Sequence, residues 1–412
     1  MACILQHVPL RQRLNCCALV CRAWAAVAVA VPADVHCFLS AYSSRSVQLQ
    51  DWLAQRGGVV KGLTAFASSS SFSHMYHIHD TRERLLLPVQ QLTRLRSLEL
   101  SRIKIQLPLP LPLPVLGVPM SCTQGTSDSS GHCGSLVAGG PQSSSAAAVL
   151  PQLQDLKLFD CKLNAQLLIH FLSVSGLSKL QWQHVQLFRD REGDLTEGEV
   201  YAILWQQLQL LPQLSELHHF DGRLTAADIA PLSTLQHLQH LNVRRLDYLW
   251  EGFGPTESGP TPLLAALQHL TQLQHLELNT CTLYLSAPQT QQQGGSYQCF
   301  SALTASTHLT ALIIRGDYEP VPKAAFQHMF PAGWTLPDLQ VLRLSSEKHK
   351  HCVEAAHIAM IAASCPALQE FCLWGVTTKG FDVSCLSQLP AGVTTVPGVT
   401  SSPGVEWCRP NN

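Results

Sequence analysis

Leucine and other apolar residues recur in this chain at the spacing L-x-x-L-x-L-x-x-(N/C)-x-L. One complete copy is Leu153, Leu156, Leu158, Cys161 and Leu163, and a second is Leu273, Leu276, Leu278, Cys281 and Leu283. The L-x-L alternation predicts a short strand that buries one face, and the cysteine falls where a side chain must cap backbone groups in a tight turn. The pattern therefore predicts one strand followed by one turn in each copy.

Nine copies, including these two, follow one another along the chain. Their first leucines are Leu95, Leu153, Leu177, Leu214, Leu238, Leu273, Leu309, Leu339 and Leu368. A weaker copy at Val60, Leu63 and Phe66 precedes them. Apolar segments at 263–270 and 355–363 predict helices that return the chain on the outer side. Such repeats stack so that each one buries the apolar face of its neighbour.

Because nine copies occur in order, the chain resembles the leucine-rich-repeat superfamily across residues 59–390. The resemblance implies an α/β fold, a horseshoe solenoid with parallel strands on its concave face. Residues 106–148, which include a Leu-Pro run followed by a Ser/Gly/Ala tract, predict a disordered insertion. Residues 391–412 predict a flexible tail, and residues 1–50 predict a separate helical module.

The amino-terminal segment differs from the repeats. It reads Val8-Pro9-Leu10-x-x-x-Leu14, followed by Leu19-Val20-Cys21-Arg22-x-Trp24. This order resembles the second half of an F-box, the helical hairpin that binds the Skp-type adaptor of a cullin ubiquitin ligase. The resemblance implies adaptor-binding positions at Leu5, Val8, Pro9, Leu10, Leu14, Leu19, Val20 and Trp24.

The opening Leu-Pro-x-Glu segment of that family has no counterpart here. Two interpretations follow: Met1 is not the true start, or the F-box is degenerate and binds its adaptor weakly or not at all. A third interpretation is that residues 3–31 only cap the open edge of the first repeat, as solenoids require.

Composition excludes several classes of protein. A net charge of −1 gives no long-range attraction to nucleic acid or to anionic membranes. The fifteen cysteines include no C-x-x-C pair, which argues against zinc ribbons and favours reduced cysteines in an intracellular protein. Arg22 interrupts the only stretch that resembles a signal peptide. We expect a cytoplasmic protein, with the nucleus and the ciliary axoneme as alternatives.

Two histidine clusters invite a metal-binding interpretation. One is His74, His77, His79 and Asp80, and the other is His349, His351, Cys352 and His357. Neither has the helical spacing of metalloprotease ligands, and no phosphate-binding or nucleophile motif occurs in the chain. We therefore predict no catalytic residue, no metal site and no cofactor.

Repeat geometry predicts which residues face a partner. Side chains that alternate with the strand leucines lie on the concave face, where arginine and tryptophan are common at binding hot spots. The predicted substrate-binding residues are Arg244, Glu277, Arg315, Arg343 and Trp374. A row of the three arginines ending near the tryptophan suits an acidic or phosphorylated segment. The alternative is a solvated sheet face without a ligand.

Three hypotheses of function follow. The first is a non-catalytic substrate-recognition subunit of a Skp-cullin-F-box ubiquitin ligase, which acts in ubiquitin-dependent protein catabolism. The second is a leucine-rich-repeat scaffold of the cytoskeleton or axoneme with a vestigial F-box. The third, a secreted recognition receptor, requires cleavage after Ala33 and paired cysteines. None of the three requires nucleic acid, and we predict no membrane partner for the ligase subunit.

Overall fold

The structure is a computed structural model of the 412-residue chain. It describes residues 32–39, 45–67, 83–106, 150–189, 193–194, 197–222, 230–246, 262–279, 298–316, 325–346, 353–374 and 383–398. All structural statements below concern these residues.

A twelve-stranded parallel sheet runs through the described chain, with its strands in sequence order. Its strands are β1 (Ala33–Leu39), β2 (Val60–Ala67), β4 (Ser97–Ser101), β6 (Asp155–Phe159), β8 (Lys179–Gln183), β11 (Glu216–Gly222), β12 (His240–Leu246), β13 (His275–Asn279), β14 (Ala311–Gly316), β15 (Val341–Ser346), β16 (Glu370–Trp374) and β17 (Thr394–Gly398). Parallel strands in sequence order, each joined to the next by a return segment, form a solenoid. The predicted α/β leucine-rich-repeat fold is confirmed.

The outer layer changes along the chain. Its helices are α1 (Arg45–Arg56), α2 (Ala165–Leu172), α3 (Glu197–Leu208), α4 (Pro262–Leu267), α5 (Phe326–Met329) and α6 (Ala355–Ser364). The early repeats also contribute a second sheet, made of β3 (Glu83–Leu86), β5 (Ile103–Gln106), β7 (Lys162–Asn164), β9 (Gln186–Arg189) and β10 (Gly193–Asp194). The predicted helices at 263–270 and 355–363 are confirmed by α4 and α6.

The long sheet extends beyond the predicted solenoid limits of 59 and 390. At one end β1 pairs in parallel with β2, and at the other β17 pairs with β16. The sheet therefore includes part of the segment predicted as a separate module and part of the predicted tail. The insertion predicted at 106–148 lies outside the described residues except for Gln106, which ends β5.

The repeat leucines form the core between the two layers. Leu98, Leu156, Leu180, Leu241 and Leu276 occupy matching positions of successive strands and are at most 1% exposed. The weak first copy is only partly right, because Val60 and Leu63 are buried whereas Phe66 is 36% exposed. Phe66 lies opposite Ser101 of β4, in the set of side chains that points away from the core.

In three consecutive repeats, the residue after the strand has the left-handed backbone conformation. Arg102, Asp160 and His184 have φ angles of 60°, 50° and 49°. After the second of them, the Sγ of Cys161 donates to the carbonyl oxygens of Leu100 at 3.2 Å and Phe159 at 3.3 Å. The cysteine therefore caps backbone groups in the turn, as the repeat predicts, while the preceding residue supplies the reversal of direction.

We expect substitutions of Asp160 to show whether its effect on stability comes from the backbone conformation or from side-chain contacts. Asp160→Val should lower the free energy of unfolding by about 1–2 kcal/mol, because a β-branched residue is disfavoured at positive φ. Asp160→Gly should cost less, since glycine adopts this conformation freely. The Arg102 Nε to Asp160 Oδ2 contact at 3.7 Å joins two half-exposed groups and contributes little. Urea unfolding of both variants makes the measurement, and equal losses would contradict a backbone origin.

Backbone hydrogen bonds connect the repeats at the amino ends of the strands. The carbonyl of Gln154 accepts the N–H groups of Ser178 and Lys179, and the carbonyl of Ser178 accepts those of Ser215 and Glu216, all at 2.8–3.0 Å. The same double acceptance recurs at Arg96, Ser215, Gln239, Gln274, Thr310 and Gln340. We call this series the amino-rim ladder. It fixes the spacing of neighbouring repeats where the strands begin.

Candidate functional site

One side of the long sheet is left uncovered by the outer layer, and we call it the open face. In β13, Leu276 and Leu278 are buried, whereas His275, Glu277 and Asn279 are only half-buried on the opposite side. Register aligns the first, third and fifth residues of such strands with their counterparts in neighbouring repeats. The open face therefore carries three rows of side chains that cross the strands.

Aromatic side chains occupy the fifth row where the solenoid begins. Phe38 of β1 is 60% exposed and aligns with Phe66 of β2. Phe66 in turn aligns with Ser101, and Ser101 with the half-buried Phe159. Three phenylalanines therefore lie in this row, interrupted by Ser101 and beside polar side chains such as Glu99 and Lys157.

Three stacked imidazoles form the centre of the open face, and we call His218, His240 and His275 the histidine row. His240 and His275 align in the first row, whereas His218 belongs to the third row of β11 and reaches His240 diagonally. The ring centroids of His218 and His240 are 6.3 Å apart, and those of His240 and His275 are 6.0 Å apart. Burial, more than any other cause, lowers the pKa of His240, and its two histidine neighbours lower it further against the opposing effect of Glu216. The middle ring therefore favours its neutral form.

A carboxylate lies beside each outer ring of the histidine row. The Nε2 of His218 is 3.3 Å from Glu216 Oε2, and the other oxygen of Glu216 is 2.6 Å from Lys179 Nζ. At the opposite end, the Nε2 of His275 is 3.8 Å from Glu277 Oε2. Lysine and carboxylate together stabilise each other's charge, which raises the pKa of Lys179 through its bond to Glu216.

Glu277 is the most heavily bonded carboxylate of the open face. Asn242 Nδ2 donates to its Oε2 at 2.9 Å and Asn279 Nδ2 donates to its Oε1 at 3.0 Å, while Arg315 Nη2 lies 3.8 Å away. Burial by itself would raise the pKa of Glu277, but the contacts with His275, Asn279 and Arg315 outweigh it and lower the pKa to about 2. The carboxylate is therefore ionised at any physiological pH.

Two of the predicted substrate-binding arginines already contact carboxylates of the protein. Arg343 binds Glu370 through two hydrogen bonds, from Nε at 2.5 Å and from Nη2 at 2.9 Å. Such a planar, bidentate pair occupies the fork that an acidic partner would otherwise use. Arg315 lies beside Glu277, so its charge is also partly compensated.

The predicted single row of arginines is wrong. Arg244 aligns with Asn279, Asn279 with Arg315, Arg315 with Ser345 and Ser345 with Trp374, all in the fifth row. Arg343 instead aligns with Ile313 and Cys372, and Ile313 aligns with Glu277, so Arg343 and Glu277 are in the third row. Two residues along a strand separate these rows by about 7 Å. Side-chain positions of Arg244 and Trp374 lie outside the structural description, and their binding role stays a prediction.

The other predicted sites have different outcomes. The eight adaptor-binding positions from Leu5 to Trp24 lie outside the described residues, as do the cluster around His77 and most of the cluster around His351. His357 is described: its Nδ1 accepts the backbone N–H of Glu354 at 3.0 Å and so caps α6. Its ring also stacks on Phe326 at 4.8 Å. This histidine stabilises a helix end.

None of the three histidines is among the predicted substrate-binding residues. His240 and His275 share the Leu-Gln-His-Leu sequence of His237 and His269, which is typical of solvated repeat surface. The structure separates them, because His237 and His269 are exposed in turns whereas His240 and His275 are the first residues of β12 and β13. For His240 and His275 the available signal was a histidine directly before a strand leucine in consecutive repeats, whereas His218 follows Leu217 and had no such signal.

Charged side chains of the open face compensate one another in pairs. Among the described residues these pairs include Lys157 with Asp155, Lys179 with Glu216, Arg315 with Glu277, and Arg343 with Glu370. Among the described residues, no group of three or more histidine, cysteine, aspartate or glutamate side chains is arranged to hold a metal ion. Within the same residues, we find no helix with the length and apolar character needed to span a membrane.

Comparisons with known proteins find only weak similarity. Neither the scan against protein families nor the search of curated proteins finds a match. An internalin of Listeria monocytogenes is 14% identical over 82% of this chain and 80% of that chain, with a TM-score of 0.40. A chain of the yeast Rad7 and Elc1 complex is 14% identical over 96% and 90%, with a TM-score of 0.38. The leucine-rich-repeat ectodomain of the Arabidopsis thaliana receptor kinase GASSHO1/SCHENGEN3 is 15% identical over 83% and 36%, with a TM-score of 0.35. Because all three TM-scores are low, we carry no partner or activity over from these proteins.

Proposed function

We propose that the protein is a non-catalytic, protein-binding solenoid that serves as the substrate-recognition subunit of a Skp-cullin-F-box ubiquitin ligase. The observation that carries the protein-binding part is the uncovered face of the long sheet. Its polar side chains, such as the buried Asn242 and the half-buried Glu277, are held in fixed positions by one another. A rigid, preorganised surface loses little conformational entropy when a partner binds.

The ligase part of the proposal is supported by the amino-terminal sequence. The F-box-like segment from Leu5 to Trp24 ends shortly before Ala33, where β1 forms one edge of the sheet. A segment that binds an adaptor would thus be joined by a short linker to the first strand of the substrate-binding solenoid. We place the protein in the cytoplasm on the same grounds.

Proximity is the mechanism that this arrangement provides. The solenoid holds a substrate close to a ubiquitin-charged enzyme that is bound to the same cullin complex. A bimolecular transfer then becomes effectively intramolecular, which accelerates it without any catalytic group on this chain. The partners of the proposal are a Skp-type adaptor, the cullin complex and a protein substrate.

Adaptor binding tests the proposal directly. Purified full-length protein should retain a Skp-type adaptor in a pull-down, and the Pro9→Ala/Leu10→Ala/Trp24→Ala variant should lose at least about 90% of it, because contacts at hot spots contribute most of the binding free energy. The far-UV circular dichroism of the variant should match that of the wild type.

A matched control places the same number of substitutions outside the F-box-like segment. Val47→Ala/Leu210→Ala/Trp334→Ala removes three exposed apolar side chains of the solenoid and should leave adaptor binding unchanged. If the wild type does not bind the adaptor, the ligase proposal is wrong and the scaffold hypothesis takes its place.

A further inference from the structure

We propose that the histidine row is the contact for an extended acidic segment of a protein partner, and that this segment binds more tightly as the row becomes protonated. The inference rests on the proposed protein-binding function and names the chemistry of the partner. It replaces the predicted arginine row as the acid-binding element of the open face.

Charge balance points to the histidines. The cations around the row are Lys179 and Arg315, and each lies beside a carboxylate, Glu216 in the first case and Glu277 in the second. The surroundings of the row are thus close to neutral while the imidazoles are neutral. Three imidazolium ions would convert the same area into a positive strip, and an acidic partner would then be attracted to it.

Charged groups on both neighbouring strands, and on the strands beyond them, surround the middle ring. His240 on β12 lies between β11, which carries Glu216 and His218, and β13, which carries His275 and Glu277. Lys179 lies beyond Glu216, and Arg315 lies beyond Glu277. Glu216 favours the charged form of His240, whereas burial, the two histidines and Lys179 oppose it.

Mutual repulsion makes proton uptake depend on a partner. Imidazolium ions about 6 Å apart repel one another, and His218 and His275 both contribute to the lowered pKa of His240. Carboxylates of a bound segment would offset that repulsion and raise the affinity of the row for protons. By linkage, a lower pH must then raise the affinity of the row for the segment.

The spacing of the rings suits an extended chain. Centroid separations of 6.3 Å and 6.0 Å are close to the distance between alternate side chains of an extended segment, which is about 6.6–6.8 Å. A segment that crosses the strands can therefore place an acidic residue at every second position over successive rings. Glutamates grouped together would reach the rings less well.

Peptide binding to the full-length protein tests the inference. The probe is a short peptide with glutamate at every second position. Two control peptides are compared with it: one of identical composition with grouped glutamates, and one with glutamine in place of every glutamate. Affinity for the alternating peptide should rise about fivefold or more between about pH 7.5 and about pH 5.5, as expected when one histidine pKa rises by at least one unit on binding.

Two variants provide the decisive comparison. His218→Gln/His240→Gln/His275→Gln should abolish the pH dependence, and the single change His240→Gln should reduce it. The matched control His237→Gln/His269→Gln/His308→Gln removes three exposed turn histidines and should behave as the wild type. Far-UV circular dichroism confirms folding of each variant.

Several outcomes would overturn the inference: no pH dependence, equal pH dependence in both triple variants, or equal affinity for the alternating and grouped peptides. None of them affects adaptor binding in the pull-down described above. A failure of the histidine row is therefore distinguishable from a failure of the proposed ligase function.

Discussion

Replacing Trp182 by alanine is expected to lower the free energy of unfolding by about 3–5 kcal/mol, the usual cost of truncating a buried aromatic side chain. Trp182 is fully buried, and in β8 it occupies the core position that Leu158 fills in the preceding repeat. Neighbouring repeats cannot close around the missing indole, because the amino-rim ladder holds their strands at a fixed spacing. Urea unfolding followed by far-UV circular dichroism measures the loss.

Trp334 offers a matched control for this experiment. Its ring is 37% exposed, and its indole N–H donates to the carbonyl of Thr304 at 3.2 Å. Trp334→Ala removes the same atoms from a partly solvated site and should cost about 1 kcal/mol, chiefly one hydrogen bond. Losses of similar size in the two variants would mean that burial does not govern the effect.

Glu277→Gln should be the second most destabilising change, with a loss of up to about 3 kcal/mol at pH 7. The pKa of Glu277 is about 2 in the folded protein against an ordinary value of 4.5. A carboxyl group whose pKa is lower in the folded state stabilises the fold above pH 4.5. That contribution disappears as the pH falls from 4.5 towards 2.

The pH dependence of this loss identifies its cause. Free energies of unfolding of the wild type and of Glu277→Gln should differ most at neutral pH and converge only as the pH falls to about 2, since a protonated glutamate resembles glutamine. Denaturant titrations over this range make the comparison. A difference that stays constant with pH would assign the effect to packing or to lost hydrogen bonds instead of ionisation.

Much of the solenoid follows from local sequence. Each repeat leucine predicts a buried strand position, and Leu153, Leu156 and Leu158 are all fully buried in β6 or directly before it. Cys161 was predictable for the same reason, because its role in the turn depends on contacts within its own repeat and the preceding one. Such contacts recur with the period of the sequence.

The second sheet of the outer layer was less predictable. Ile103 and Ile105 alternate with polar residues in β5, which is a strand signal, but β7 consists of only Lys162–Asn164. So short a strand is stabilised by its neighbours β5 and β9 more than by its own residues. Strand formation here depends on adjacent repeats, which a single repeat sequence does not reveal.

The candidate site shows the same division. Its residues on the open face, including Glu277, Arg315 and Arg343, follow from strand alternation. Their partners do not, because the pairing of Arg343 with Glu370 depends on register between strands separated by a long connection. The stacking of His218 on His240 has the same origin. Strand alternation indicates which side chains face outward, whereas the register between strands decides what those side chains contact.

The amino-rim ladder has a consequence for how this sequence can change over time. Each of its carbonyls accepts two N–H groups from the next repeat, so one inserted residue beside Gln154 or Ser178 would break both bonds. At the carboxyl ends of the parallel strands, the described bonds between repeats are single ones in the early repeats, such as that from Arg102 N–H to the Phe159 carbonyl, and in the later repeats the long connections after Leu246 and Asn279 follow directly on a strand of the long sheet. Insertions and deletions should therefore accumulate after the strands and be absent before them. Related chains would differ in loop length on one rim while keeping the register of the open face.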